Sequence, residues 1–570
     1  MFQSKFNLIA VLIIAAATAL AVFSVKDDSI TTDESPHISA GYSYLTQKDM
    51  RLNPEHPPLI KDLAALPLLF QKINFDAEHS SWKKEVNGQW AFGPHFLYES
   101  GNNPNAIAFS ARLAVMLIFI LLCWFIYRWG KEKYGPWAGL LALFLTALSP
   151  NIIAHARYVT TDVGAALGFL AAIYFFIKFI NRPSKKNLIY AGLAFGLAQL
   201  LKFSLILLVP LYIFVLAVLY FVKHQVFDIK RSAASLLAIL IIGYGLVWPV
   251  YQFHVWNYPP ERQKSDTVFH LANYPLKPAG QLVIKMTDKP LLRPYAQYLL
   301  GLLMVFQRTG GGNTTYFMGE VASVAWKGYF PTVYALKEPV PVLILIIIVL
   351  AGALIRISKT NIRNLGFWIS QNTAEFTWLS FIVLYWGTSI TGNLNIGLRH
   401  VLPTFPFIYL LIAGQIKKWA RIIRFPVMGV IMLWLIMETV AVFPNYLAYF
   451  NEAAGGPGNG YKYVTDSNLD WGQDLKRLAR YVEENKIDKI KLDYFGGGSP
   501  QYYLGDKYEK LDAGNVNQRH GWLAISATLL QGGRAVAVRG FDKNTIYYKW
   551  LDNYEPITKI GYSIFVYKLD

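Results

Sequence analysis

Apolar segments long enough to cross a lipid bilayer recur along most of this 570-residue chain. A bilayer core takes about 20 residues of apolar helix, and eleven runs approach or reach that length, the shortest being 136–150 and 187–202. The first run follows Lys5, is long and ends in Ser24–Asp27, a poor small-x-small cleavage site, so we predict a retained span rather than a signal peptide. The predicted spans are 7–25, 107–127, 136–150, 158–179, 187–202, 203–222, 233–251, 338–356, 374–391, 400–416 and 425–444.

The composition supports a membrane protein. Hydrophobic residues make up 54% of the chain and charged residues only 16%, whereas soluble proteins carry about 25% charged residues. The formal net charge of +18 is compatible with a nucleic-acid partner, but basic cytoplasmic loops of a membrane protein produce the same excess. The only cysteine, Cys123, lies in an apolar run, so an intrachain disulfide is excluded.

The positions of the basic residues decide between these two explanations. With the N-terminus in the cytoplasm, every loop predicted to face inside is basic, opposed only by Glu132 and Asp228. We therefore predict a multi-pass plasma-membrane protein with a cytoplasmic N-terminus and no nucleic-acid partner. The basic residues of these loops are Arg128, Lys131, Lys133, Lys178, Arg182, Lys185, Lys186, Lys223, Lys230, Arg231, Arg356, Lys359, Arg363, Lys417, Lys418, Arg421 and Arg424.

Three large pieces then lie outside the membrane. Within the membrane domain, 1–444, these are the first outer loop, 26–106, and the second, 252–337. The third, 445–570, is polar enough to fold in water, and we predict a small extracytoplasmic α/β domain there. Its elements are a helix from Leu475 to Glu484, with Asp470 or Asp474 near its start, and strands at KIKLDYF, RAVAVRG and SIFVYKL.

The first outer loop carries two groups of polar residues close to the membrane. Asp33 and Glu34 follow the first span directly; helix capping before SPHISAGYSYL is an alternative explanation for this pair. Glu55 and His56 precede two prolines that fix the backbone, and an amphipathic helix that suits the membrane surface starts after them.

Further charged groups are predicted at the same membrane level. Interfacial snorkelling explains any one of them, but charges within spans are costly and mark functional cavities, and all of these fall on one side. We therefore predict that they converge with the acids of the first outer loop in one pocket. They are Arg112, Asp162, Lys202, Lys337, Arg399 and His400.

This mixture of groups suits one kind of chemistry. A carboxylate can take the proton of an acceptor hydroxyl as a general base. Arginine and lysine can hold an anionic lipid phosphate, arginine through two parallel hydrogen bonds. Acids alone would suit a cation path, and bases alone a lipid-headgroup site.

The chain resembles the protein O-mannosyltransferase family and its bacterial relatives, within the GT-C glycosyltransferases that use polyprenyl-phosphate donors. The resemblance extends over nearly all of the membrane part, and the acidic pair followed by HPPL is its most specific feature. The motifs that carry it are TTDESPHISAGYSYL, NPEHPPLIK, ARYVTTDVGAA, LLKFSLILLVP, YFMGEVASVAWKGYFPTVYALKEPVPVL and NIGLRHVLPTFPF.

The resemblance implies a GT-C fold and an inverting transfer of a hexose, mannose-like or other. Asp33 would be the general base with Glu34 beside it, and Glu55, His56, Asp162 and Arg112 would line the acceptor side of the cavity. The donor phosphate would contact Arg399, His400, Lys202 and Lys337. Because the donor leaves a monophosphate, neither a divalent metal nor another cofactor is expected. The acceptor would be a protein, lipid or glycan hydroxyl.

The sequence departs from the eukaryotic members, since no loop is long enough for a β-trefoil MIR domain and the C-terminal domain is foreign to them. Beside this glycosyltransferase, three other functions stay open. They are an oligosaccharyltransferase-like enzyme with a lipid-diphosphate donor, a transporter or lipid flippase, and a non-catalytic scaffold. A transporter predicts polar residues at the bilayer midplane and repeated halves.

Two segments of the C-terminal domain, DSNLDWGQDLKRL and YFGGGSPQYY, have no role that we can assign from the sequence. Asp466, Asp470 and Asp474 follow one another at four-residue spacing, which allows a cation site. Gly472 between them and the absence of an EF-hand pattern favour helix capping instead.

Overall fold

The computed structural model describes residues 2–222, 228–358, 362–419 and 421–570. Lys223 and Lys359, two of the predicted inside-loop residues, lie outside the described residues. The first outer loop is mostly helical, and Leu66, Leu69 and Phe70 of the short turn after its second helix are exposed. The helices of this part are α1 (Phe2–Val25), α2 (Glu34–Gln47), α3 (Leu59–Ala65), α4 (Ser80–Lys83) and α5 (Gln89–Pro94), with short turns at Leu66–Phe70 and His95–Glu99.

The amphipathic helix predicted after Pro58 is α3, and it spans only seven residues. Lys61 and three apolar side chains of α3 are buried, and the helix packs against α2 and against the next long helix, Pro104–Tyr134. This face is therefore covered by protein, and the exposed apolar side chains lie in the turn that follows α3.

The predicted spans of the central part all coincide with helices. Local sequence sets their ends: the side chain of Asn103 caps the first of these helices through the Ala106 amide, and Pro104 takes its first position. The helices are α6 (Pro104–Tyr134), α7 (Pro136–Ala147), α8 (Pro150–Ala156), α9 (Asp162–Asn181), α10 (Lys185–Gln199), α11 (Leu208–Val222), preceded by a 3-10 turn at Phe203–Leu207, and α12 (Ile229–His254).

Helices α10 and α12 pack unusually closely. A Cβ atom on Gly196 would lie 2.6 Å from the carbonyl oxygen of Gly243, and one on Gly192 would lie 2.6 Å from Cβ of Ile242. Small residues that let two backbones approach in this way are typical of helix contacts in membranes.

The second outer loop and the remaining spans follow. Their elements are α13 (Pro260–Leu271), α14 (Lys277–Met286), α15 (Arg293–Gly311), β1 (Thr315–Phe317), β2 (Glu320–Ala322), α16 (Tyr329–Lys337), α17 (Val340–Ser358), α18 (Ile362–Gln371), α19 (Thr373–Thr391), α20 (Phe405–Ile416) and α21 (Arg421–Ala441), with 3-10 turns at Leu398–His400 and Leu402–Thr404.

Among the described residues, five helices are long and apolar enough to cross a membrane, or seven if two bent helix pairs each count as one span. The bent pairs are α7 with α8, at 63°, and α16 with α17, at 118°. The chain is thus a helical multi-pass membrane protein. The number eleven stays a prediction, because helices such as α10 and α20 are shorter than the roughly 20 residues that a bilayer core takes.

The C-terminal part is a small α/β domain, as predicted. Its mixed sheet has the order β4-β3-β5-β8-β7, in which β3 is parallel to β4 and β5, and β8 is antiparallel to β5 and β7. The elements are α22 (Leu475–Glu484), β3 (Ile490–Asp493), α23 (Pro500–Leu504), β4 (Tyr508–Lys510), β5 (Gly521–Ser526), α24 (Ala527–Gly532), β6 (Val536–Ala537), β7 (Thr558–Ile560) and β8 (Ile564–Leu569).

The strand predicted in RAVAVRG does not join this sheet. It forms β6, which pairs in parallel with β2, so that the β1–β2 hairpin of the second outer loop gains a third strand from the C-terminal domain. The C-terminal domain is thereby tied to the membrane part by hydrogen-bonded strands.

Candidate active site

A cavity of about 310 Å³ lies where several helices end at one level of the bundle. Asp33 follows the loop that leaves α1, Asp162 is the first residue of α9, and Lys202 directly precedes the Phe203–Leu207 turn. Polar residues at helix ends, rather than midway along broken helices, differ from the arrangement that a transporter predicts. The predicted site residues that line the cavity are Asp33, Glu55, His56, Asp162, Lys202, Arg399 and His400.

Four of these side chains form an alternating chain of charges. Nη1 of Arg399 donates to Oδ2 of Asp33 at 2.7 Å and lies 3.8 Å from Oδ2 of Asp162. The other oxygen of Asp162 accepts from Nζ of Lys202 at 2.6 Å. Residues separated by more than 350 positions in the sequence, Asp33 and Arg399, are therefore in direct contact.

Asp33 occupies the N-cap position of α2, but its side chain makes no capping hydrogen bond. The carboxylate faces the cavity and is 25% exposed. Burial alone would raise the pKa of Asp33, but the guanidinium of Arg399 and, next, the imidazole of His37 outweigh burial and hold the pKa below its usual range. The carboxylate is thus ionised at neutral pH, and helix capping does not explain this residue.

Two histidines form the wall next to Asp33. The rings of His37 and His56 meet edge to face, with their centroids 5.0 Å apart. Nδ1 of His37 lies 2.8 Å from the carbonyl oxygen of Val159, which fixes Nδ1 as the protonated nitrogen. Burial lowers the pKa of both histidines, most strongly that of His56.

Glu55 and His56 are held by a buried lysine that sequence reasoning did not single out. Nζ of Lys61 donates to the carbonyl oxygens of Asn53 and His56, at 2.9 and 2.8 Å. Burial lowers the pKa of Lys61 to about 7. Glu55 itself accepts from the side-chain amide of Gln89 at 2.5 Å. The Asn53–His56 turn is therefore rigid on the side that faces away from the cavity.

The structure separates Glu34 and Arg112 from the cavity. Nε and Nη2 of Arg112 donate to the two carboxylate oxygens of Glu34 at 2.7 and 2.6 Å, and the two side chains are 2% and 0% exposed. Glu34 also accepts from the backbone amides of Thr31 and Val159, at 3.0 and 3.1 Å. This pair fixes the loop before Asp33 on the side that faces away from the cavity. Neither side chain is placed to contact a ligand in the cavity.

Lys337 also lies away from the cavity. Its buried ammonium group donates to the carbonyl oxygens of Leu447, Tyr449 and Asn468, at 3.0, 2.8 and 2.5 Å. It thereby joins the end of α16 to the start of the C-terminal domain, and it is not positioned to contact a donor phosphate bound in the cavity.

Sequence reasoning missed one cation of the cavity, Arg308. It lies near the end of α15 beside Val305 and Phe306, which also line the cavity. Its side chain is exposed, and no described residue forms a hydrogen bond or ion pair with it. No sequence motif surrounds Arg308 in the second outer loop. Its place on the cavity wall follows only from the position of α15 in the structure.

Several buried polar atoms around the cavity have no hydrogen-bond partner among the described residues. They include Oγ1 of Thr160, Oδ2 of Asp162 and Nε of Arg399. Buried polar atoms are almost always hydrogen-bonded in native proteins, so these three atoms retain unused hydrogen-bonding capacity beside the cavity. In the described part of the chain no three metal-ligating side chains come together; the metal independence of the reaction stays a prediction.

Asp466, Asp470 and Asp474 do not converge on one point. Oδ2 of Asp470 accepts from the backbone amide of Thr528, at 2.8 Å, in the first turn of α24. Oδ1 of Asp466 accepts from the next backbone amide, that of Ser467. The carboxylates of Asp466 and Asp470 therefore bind backbone amides, and the helix that Asp470 caps is α24 rather than α22. Asp474 instead pairs with Arg477 and accepts from the hydroxyl of Ser563 at 2.7 Å.

Comparison with known families gives one match. Residues 105–248 match the family described as Dolichyl-phosphate-mannose-protein mannosyltransferase. The match confirms the resemblance to the GT-C glycosyltransferases. It covers roughly a quarter of the chain and includes Arg112, Asp162 and Lys202. Comparison with curated proteins gives no match.

Comparison with solved structures gives several distant likenesses. ArnT from Cupriavidus metallidurans, bound to undecaprenyl phosphate, has 12% identity and a TM-score of 0.31, with 98% of this chain and 97% of ArnT covered. AglB from Archaeoglobus fulgidus, in complex with an inhibitory peptide and a dolichol-phosphate, has 12% identity and a TM-score of 0.45, with 92% and 71% covered. The S. cerevisiae Pmt1–Pmt2 complex, bound to the sugar donor, has 17% identity and a TM-score of 0.32, with 45% and 34% covered.

Proposed function

We propose that this protein is a membrane glycosyltransferase that moves a sugar from a polyprenyl-phosphate donor to an acceptor hydroxyl at the outer face of the plasma membrane. The observation that carries the proposal is the contact of Asp33 with Arg399 on the wall of a cavity whose other charged residues include Asp162 and Lys202. The carboxylate of Asp33 can act as the general base, and the cationic side chains near it can bind the departing phosphate.

The proposed reaction is a single displacement. The acceptor oxygen attacks the anomeric carbon on the face opposite the phosphate, and Asp33 takes the hydroxyl proton. A carbon–oxygen bond forms as the bond from the anomeric carbon to the phosphate oxygen breaks, and the phosphate leaves with the electron pair. Inversion of the anomeric centre follows. Arg399 binds Oδ2 of Asp33, and no hydrogen bond from the described residues reaches Oδ1, which is the oxygen that would accept the proton.

The departing phosphate gains charge as this bond breaks, and preorganised cations stabilise such charge. We assign this role to Lys202 and Arg399, with His400 beside them and Arg308 at the cavity entrance. Phe306, next to Arg308 along α15, supplies apolar surface for the first isoprene units of the donor. Glu55 and His56 would then face the acceptor.

The test is transfer of a radiolabelled sugar by the purified full-length protein. A panel of polyprenyl-phosphate sugars, with lipid-diphosphate sugars in parallel, identifies the donor, and analysis of the labelled product identifies the acceptor class. Asp33→Asn should lower the rate by about 10²- to 10⁴-fold. Asp76→Asn, in the same loop but away from the cavity, is the matched control and should transfer normally. Full activity of Asp33→Asn, or transfer from diphosphate donors alone, would contradict the proposal.

A further inference from the structure

The segment 466–474, DSNLDWGQD, lies between two parts of the candidate active site. It follows the last predicted span and precedes α22, and all of its residues except Asp466 are buried. Part of it is the 3-10 turn Asp466–Asn468. None of its residues lines the cavity, so its burial needs another explanation.

On one side the segment is hydrogen-bonded to the loop that carries Asp33. The backbone amide of Ser29 donates to the carbonyl oxygen of Gln473 at 2.9 Å, and that of Thr32 donates to the carbonyl oxygen of Trp471 at 3.0 Å. Thr32 is the residue immediately before Asp33. The course of the backbone into Asp33 is therefore fixed by the C-terminal domain.

On the other side the segment holds the turn that carries Arg399. The backbone amide of Leu398 donates to Oδ1 of Asn468 at 2.9 Å. The guanidinium carbon of Arg399 lies 4.2 Å from the centre of the Trp471 ring, a cation–π distance. Trp471, which is 1% exposed, therefore contacts both loops at once.

We propose that residues 466–474 are a positioning element of the active site, which holds the Asp33 loop and the Arg399 turn in the relative position that brings the carboxylate and the guanidinium into contact. This inference rests on the proposed function for its catalytic consequence. A displacement of about 1 Å in such a site costs about 100-fold in rate, and Asp33 and Arg399 have no link along the chain that could fix their distance.

The first test compares three variants of the full-length protein in the sugar-transfer assay. Trp471→Leu should lower kcat by about 10- to 100-fold. The donor KM should change by less than about threefold, because Trp471 does not line the cavity. Trp471→Phe keeps an aromatic face against Arg399 and should recover most of the rate. Leu478→Ala, at a buried residue of α22 in the apolar core beneath the C-terminal sheet, is the control for general destabilisation and should keep the wild-type kcat.

The second test does not depend on activity. Hydrogen exchange is measured on peptides that cover 29–32 and 396–400. Trp471→Leu should accelerate exchange in both peptides and Asn468→Ala in the second, each by about tenfold or more, while Leu478→Ala should change neither. Unchanged exchange in both Trp471→Leu and Asn468→Ala overturns the positioning role, as does a wild-type kcat for Trp471→Leu. An active Asp33→Asn variant contradicts the proposed function instead, and the exchange data still show whether the segment holds the two loops.

Discussion

The buried pair of Glu34 and Arg112 should be essential for stability although it does not line the cavity. Glu34→Gln keeps the shape of the side chain but removes its charge, leaving the guanidinium of Arg112 buried with only neutral groups in direct contact on that side. Its remaining hydrogen bonds go to carbonyl oxygens, including those of Asp28 and Ser29 at 3.0 and 2.7 Å. Loss of one partner from a buried ion pair costs about 3–5 kcal/mol, and we expect this decrease in the free energy of unfolding.

A double-mutant cycle separates the pair from its surroundings. Arg112→Met should be similarly destabilising, because it leaves the carboxylate unpaired, and the double variant should be more stable than the sum of the single effects by about 1–3 kcal/mol. Titration with SDS in mixed micelles, followed by circular dichroism, measures the unfolding free energy. Glu99→Gln, an exposed glutamate of the same loop, is the control. A loss below about 1 kcal/mol for Glu34→Gln, or additive effects in the cycle, would refute the reasoning.

Three further outcomes follow from the cavity and its supports. Arg308→Gln should raise the donor KM by about tenfold or more. The melting temperature should not fall, since the Arg308 side chain binds no described residue. An unchanged KM would show that the donor phosphate binds elsewhere. Asp33 must be ionised to act as a base, and Arg399 keeps the pKa of Asp33 low. In Arg399→Gln the effect of burial should dominate and move the acidic limb of the pH–rate profile to higher pH. An unchanged limb would show that Arg399 does not set the pKa of the catalytic base. Gly497→Ala should impair transfer, because its Cβ would lie 2.2 Å from a backbone carbonyl oxygen of the loop before Asp33. Gly458→Ala, which has open space around it, is the control and should transfer normally. Equal rates for the two variants would show that this loop can shift without loss of activity.

The sequence predicts the positions of the helices well, because apolar length is a direct consequence of the bilayer. It also predicts that Asp33, Asp162, Lys202 and Arg399 meet, because these residues lie at the same ends of their spans. It does not predict which of two neighbouring acids faces the cavity. Successive residues of a helix point about 100° apart, so Asp33 faces the cavity and Glu34 faces α6, and hydrophobic pattern alone does not distinguish them.

Contacts made by irregular segments were beyond sequence reasoning for a different reason. Trp471 and Lys337 act through loops and carbonyl groups, which have no periodicity from which a partner can be inferred. The parallel pairing of β6 with β2 joins strands about 215 residues apart, and strands of two or three residues carry too little alternation to define a partner. Arg308 similarly looks like any basic residue near a helix end until α15 is placed beside the cavity.

The charge balance of the cavity indicates how an anionic donor could be selected. Asp33, Arg399, Asp162 and Lys202 form two acids and two bases in contact, so this group is close to neutral before any ligand arrives. A phosphate that replaces Asp162 as the partner of Lys202 gains little net attraction, because one ion pair is exchanged for another. Arg308 is the additional cation, and its exposed position means that little desolvation is needed before it meets the donor. We therefore expect Arg308 to govern donor capture and the four-residue group to govern the chemical step, a division that the KM and kcat of Arg308→Gln and Lys202→Met would separate.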